Sequence, residues 1–130
     1  MIVLDASVIV ELFLQTAHAN PIRARLVDAN ESLHAPAVLD LEVANALRRL
    51  TSRQEISLHR SSRSIALLQR FPITRYHHDF LLRRVWDLRN NLTAYDAAYV
   101  ALAEALDATL LTRDSRLARS GGHQANVEVI

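Results

Sequence analysis

Four carboxylates stand where apolar sequence meets a helix or a strand end. Asp5 follows Ile2-Val3-Leu4, and Glu42 lies inside Leu39-Asp40-Leu41-Glu42-Val43-Ala44. Asp96 opens the run Ala97-Ala98-Tyr99-Val100-Ala101, and Asp114 comes just after Leu110-Leu111-Thr112. Ionised carboxylates are costly to desolvate, so each must find a partner or change its pKa. If the fold gathers all four, a hard divalent cation is the natural partner. The chemistry would then be metal-dependent phosphoryl transfer.

Each acid also has a local explanation. Asp5 with Ser7 could cap a first helix. Thr93-x-x-Asp96 fits a capping box, and Asp114 could cap a helix that starts at Ser115. Asp40 and Glu42 could complement a helix N-terminus. Glu42, flanked by Leu41 and Val43, fits a cap least well. Asp40, two residues away, points elsewhere on a helix and reads as surface. Glu11 and Glu104 read as rim or surface; Asp28, Glu31, Glu55, Asp79, Asp87, Asp107 and Glu128 read as solvated.

The elements that must position these acids follow from apolar spacing. Residues 2–4 are a buried strand, with a helix directly after it carrying Val8, Ile9, Leu12 and Phe13. Asn20-Pro21 punctuates, and 22–30 form a second helix with Arg23, Arg25 and Asp28 outward. Residues 33–35 are a weak strand, and Pro36 suits an early helix position. Leu39, Val43, Leu47 and Leu50 give the next helix its stripe. Residues 57–70 are helical, 72–76 a third strand and 78–89 another helix, broken by Asn90-Asn91. Residues 93–106 form a helix apolar almost all round, hence buried. A strand at 109–112, a short helix at 115–119 ended by Gly121-Gly122, and a last strand at 127–130 complete the chain. Alternating strands and helices predict one α/β domain over 1–130, with a mainly parallel sheet between helices. Ligands bind such sheets beyond the carboxyl ends of the strands. Asp5 and Asp114 sit there, and the helices of Glu42 and Asp96 reach the same edge with their first turns.

Composition narrows the options. Half of the residues are hydrophobic, 22% are charged and the formal net charge is +1, so a basic surface must be local. All 15 basic residues are arginine, a composition bias that also supplies bidentate phosphate contacts. Without cysteine there is no disulfide or thiolate site. His77-His78 would splay on a helix, so zinc is not expected. Two glycines and no lysine exclude a dinucleotide loop and a Walker loop. No signal peptide or membrane span is evident, and the cytoplasm is the expected location.

Val3-Leu4-Asp5-Ala6-Ser7, Leu41-Glu42-Val43-Ala44-Asn45-Ala46-Leu47-Arg48-Arg49, Leu92-Thr93-Ala94-Tyr95-Asp96-Ala97-Ala98-Tyr99 and Leu110-Leu111-Thr112-Arg113-Asp114 together resemble the PIN-domain nucleases, above all the toxins of VapBC-type toxin–antitoxin pairs. The resemblance runs over essentially the whole chain. It implies a three-layer α/β/α fold with a five-stranded sheet and a Mg²⁺-dependent endoribonuclease, with Mn²⁺ as a substitute. By position, Asp5, Glu42, Asp96 and Asp114 form the catalytic quartet, with Asp5, Asp96 and Asp114 on the metal. Ser7, Asn45 and Thr112 match the polar positions that support the acids. It implies a homodimer silenced by a cognate antitoxin. The polar stretch 121–126 is longer than usual and puts the sheet edge in question.

Arg113 and Arg116 beside Asp114, and Arg48 and Arg49 beyond Glu42, are the candidate phosphate contacts. Single-stranded RNA loops, whose bases can be splayed, are the expected substrate. Tyr95 and Tyr99 could stack on bases, but core packing is the expected role of both. Two rivals remain at this point: a phosphoacceptor signalling domain, which lacks its usual lysine here, and a PIN-like scaffold that binds RNA or protein without cutting. Cleavage of DNA by the same chemistry is a third.

Overall fold

The computed structural model describes residues 1–130 except the side chains of Asp28 and Ala29, so the expected outward direction of Asp28 lies outside the described residues. Five strands, β1 (Ile2–Leu4), β2 (Leu33–Pro36), β3 (Ile73–Tyr76), β4 (Thr109–Thr112) and β5 (Asn126–Val129), form one sheet in the order β3-β2-β1-β4-β5. Every pairing is parallel. β1 is the middle strand and is wholly buried, as its β-branched run requires; Leu4 lies opposite Leu111 of β4. The chain lays β2 and β3 to one side of β1, then crosses to place β4 and β5 on the other. The direction of winding thus reverses between β1 and β4. A crevice opens beyond the carboxyl ends at such a reversal.

The helices are α1 (Ala6–Leu14), α2 (Ala19–Ala29), α3 (Val38–Ser52), α4 (Leu58–Arg70), α5 (Leu82–Asp87), α6 (Ala94–Leu106) and α7 (Ser115–Arg119). α1 packs on α2, α3 and α4, whereas α6 lies across β1, β2 and β4 with α5 against it. Residues 97–103 of α6 are all buried, as its apolar circumference predicts. Among the described residues no helix is long and apolar enough to cross a membrane.

Several expected boundaries move, each for a physical reason. Pro36 is the last residue of β2, paired in register with Tyr76, and not an early helix residue. A strand end tolerates its missing N–H. α3 begins two residues later, and its Val38 N–H donates to His78 Nε2 at 3.0 Å. Asn20-Pro21 does not break α2 but lies in its first turn, where a proline N–H would have no helical acceptor. The helix expected over 78–89 is a 3₁₀ turn, Asp79–Leu81, followed by the short α5. The weak strand β2 carries a buried His34, whose two ring nitrogens meet Ser32 Oγ at 2.7 Å and Tyr76 Oη at 2.9 Å.

The polar stretch before β5 does not disrupt the sheet edge. Gly122 has φ +86°, and its carbonyl accepts from Arg84 Nη2 at 3.0 Å. Gln124 N–H donates to Glu104 Oε1 at 2.9 Å. β5 then pairs with β4 over four residues, Thr109 opposite Asn126 to Thr112 opposite Val129.

Candidate active site

The carboxyl ends of β1 and β4 bring Asp5 and Asp114 to the same crevice. Asp5 occupies the cap position of α1 in extended conformation, yet its side chain makes no capping hydrogen bond. Its Oδ2 instead accepts from Ser7 Oγ and from Thr112 Oγ1, each at 2.7 Å. Thr112 is wholly buried, and its hydroxyl also accepts the Asp114 N–H at 2.9 Å. Ser7 Oγ accepts the Arg113 N–H at 3.1 Å. The two hydroxyls therefore tie the loop after β4 to the acid after β1. Asp5 Oδ1 accepts no hydrogen bond among the described residues.

Asp114 does cap α7, accepting the Arg116 N–H at 2.9 Å, so its structural reading is also correct. Thr93 Oγ1 accepts the Asp96 N–H at 3.2 Å, which is the N-cap half of the expected box. That bond uses Asp96's backbone and stations its half-buried carboxylate in the first turn of α6.

A cleft of about 500 Å³ is lined by Asp5, Ser7, Glu11, Glu42, Asn45, Arg49, Asp114 and Arg116, among others. Glu11 is thus one of the lining residues. Asp96 is not part of that lining but is electrostatically joined to it. Its pKa is raised by burial, then by the charges of Asp5 and Asp114. The Glu42 pKa is raised by burial and further by Asp5 and Asp96. The four acids therefore form one repelling group. The Asp114 pKa is lowered, by its hydrogen bonds to the Arg116 guanidinium.

The chemistry of this donor set suits a hard cation: carboxylate oxygens held by hydroxyls, with repulsion that a cation would relieve. Among the described residues, however, no three His, Asp or Glu side chains stand gathered as a metal cage. Asp114 faces Arg116, and one oxygen of Glu42 is taken by Tyr99.

Sequence reasoning did not assign Tyr99 to the site. Its hydroxyl donates to Glu42 Oε2 while the ring is fully buried. Burial and the Glu42 charge push the phenol pKa far up, so it stays a donor. The signal was present in the spacing, since Tyr99 lies one helical turn after Asp96. Tyr95, expected in the core, is instead 61% exposed.

The arginines divide. Arg49 and Arg116 line the cleft. Arg48, one helix position round from Arg49, bonds Asn45 Oδ1 at 3.0 Å and lines the α3–α4 groove with Leu58 and Ile65. Arg113 turns its guanidinium to the Ile130 carbonyl beyond β5. Asn45 reaches the cleft but hydrogen-bonds none of the four acids among the described residues.

The PIN domain model matches residues 2–122. The chain belongs to the PIN-domain family. Ribonucleases VapC9 and VapC12 of Mycobacterium tuberculosis are each 42% identical over 130 residues, covering 100% of this chain and 98% and 99% of their own lengths. A solved structure of VapBC2 from Rickettsia felis, bound to a DNA fragment from their promoter, aligns with a TM-score of 0.72. It is 14% identical and covers 99% of this chain and 98% of that one, a likeness of fold. The parallel five-stranded sheet is thus the PIN sheet, and the cleft lies at its winding reversal.

Proposed function

We propose that this PIN domain is a Mg²⁺-dependent endoribonuclease, with Mn²⁺ able to replace Mg²⁺, acting as the toxin of a pair that a cognate antitoxin neutralises. The observation that carries this reading is the repelling carboxylate group at the β1–β4 reversal, in a chain whose full-length relatives bear the name ribonuclease. A cytoplasmic homodimer is part of the proposal; exposed Phe80, Leu82 and Trp86 offer apolar surface for a second copy.

Asp5, Asp96 and Asp114 would hold the cation. When bound, it would supply positive charge against the phosphate and acidify water. The chain's own groups do the rest. Ser7 and Thr112 fix Asp5 by one oxygen and leave the other directed by that constraint. Glu42, anchored through Oε2 by Tyr99, has Oε1 to orient the attacking water and take its proton. In-line attack on phosphorus breaks the P–O3′ bond; the leaving oxygen takes up a proton, giving a 3′-hydroxyl and a 5′-phosphate. Arg49 and Arg116 are the cations at the cleft for substrate phosphates, Arg116 once it is released from Asp114. Arg48 and Arg113 are committed elsewhere and have lesser claims.

The test is cleavage of single-stranded RNA loops by purified protein with Mg²⁺. Asp5→Asn keeps the shape and removes charge, and should lower the rate at least ~100-fold, more than loss of an outer supporting group. Wild-type speed in that variant would refute the assignment. Co-expression with a cognate antitoxin should abolish cleavage.

A further inference from the structure

The Arg116 guanidinium contacts both oxygens of Asp114. Nε reaches Oδ1 and Oδ2 at 3.0 Å each, and Nη2 reaches Oδ2 at 2.6 Å. The backbone N–H of the same residue caps Oδ1 as well. Asp114 is thereby fully engaged, while no other acid of the site makes an ion pair among the described residues, Asp96 feeling Arg116 only through space. The arginine side chain itself is 81% exposed and has no other hydrogen-bond partner among the described residues. A short tether of two residues, a solvated guanidinium and one partner make an arm that can open without disturbing the core.

We propose that Arg116 is a latch on the cation site: it clamps Asp114 in the metal-free protein, and a divalent cation gains that carboxylate only as the clamp opens. This rests on the metal-dependent reading above. The competition is direct, since a carboxylate whose lone pairs are taken by a bidentate guanidinium is a poorer metal ligand. Exposed ion pairs hold weakly, so the latch should cost the cation about three- to tenfold in affinity and not prevent binding.

The experiment is a Mn²⁺ titration of RNA-free protein, following the EPR signal of the free ion. Arg116→Ala should bind Mn²⁺ about three- to tenfold more tightly than wild type. Arg49→Ala is the control, because Arg49 lines the same cleft without bonding a carboxylate. It reports the through-space effect of losing one positive charge, and should tighten binding less than Arg116→Ala. Equal tightening in the two variants would overturn the latch, and so would an unchanged affinity in Arg116→Ala while wild type binds. If neither wild type nor Arg116→Ala withdraws Mn²⁺ from solution, the metal reading fails and the latch with it.

Discussion

Two clefts lie at opposite ends of the sheet and differ in how fully their acids are paired. Beyond the amino ends of β4 and β5, a cleft of about 620 Å³ contains Glu104. There Arg84 meets both Glu104 oxygens, at 2.7 and 3.0 Å, and the carboxyl pKa is lowered by that pairing. Beyond the carboxyl ends, Glu42 and Asp96 have no such cation and their pKa values are raised. The first arrangement holds the chain before β5 in place. The second pairs only Asp114, with Arg116, and leaves Asp5, Glu42 and Asp96 without an ion-pair partner among the described residues, a pattern typical of functional sites.

The largest expected effect that would break this contrast is Asp96→Asn. RNA cleavage should fall at least ~100-fold. The same change removes a repelled charge, so the metal-free variant should melt higher than wild type at neutral pH, by a few degrees at about 3–5 °C per kcal/mol for a chain this size. A variant that is both inactive and less stable would mean that Asp96 is structural. Next comes Tyr99→Phe, which deletes one donor to Glu42 and leaves the ring. The Tyr99 bond lowers the Glu42 pKa, so its loss should raise it. The acid limb of the pH–rate profile should move to higher pH, with roughly tenfold lower activity near neutrality.

At the other cleft, Arg84→Ala should leave cleavage unchanged and lower stability by about 1–2 kcal/mol, measured by denaturant unfolding. Loss of cleavage at full stability would join the two clefts in one function. The smallest effect is in pH. Glu42 and Asp96 are raised in the folded state, so between their ordinary values of ~4 and the raised ones the folded chain binds more protons than the unfolded chain. Stability of the metal-free protein should thus rise as pH falls through that window. Below ~4, Glu31, Glu104 and Asp114, all lowered by cationic partners, lose that stabilisation and the trend reverses. Thermal melts with and without Mg²⁺ would check it, since a bound cation should flatten the upper part of the curve.

The amino-acid sequence alone placed the strands, the buried α6 and the four acids at one sheet edge, because apolar period and strand-end position are local properties. Pro36, Pro21 and the shortened α5 were misplaced where one residue type is compatible with two neighbouring elements, and contacts such as Val38 N–H with His78 chose between them. Only the tertiary structure decided what each carboxylate touches. Asp5 escapes its cap because Thr112, 107 residues away, supplies a better donor. Glu42 is anchored by a tyrosine 57 residues on, and Asp114 by an arginine that spacing alone could equally have sent to a phosphate. Whether a charge is paired or exposed to its like depends on which strands lie side by side, and that is a property of the folded sheet.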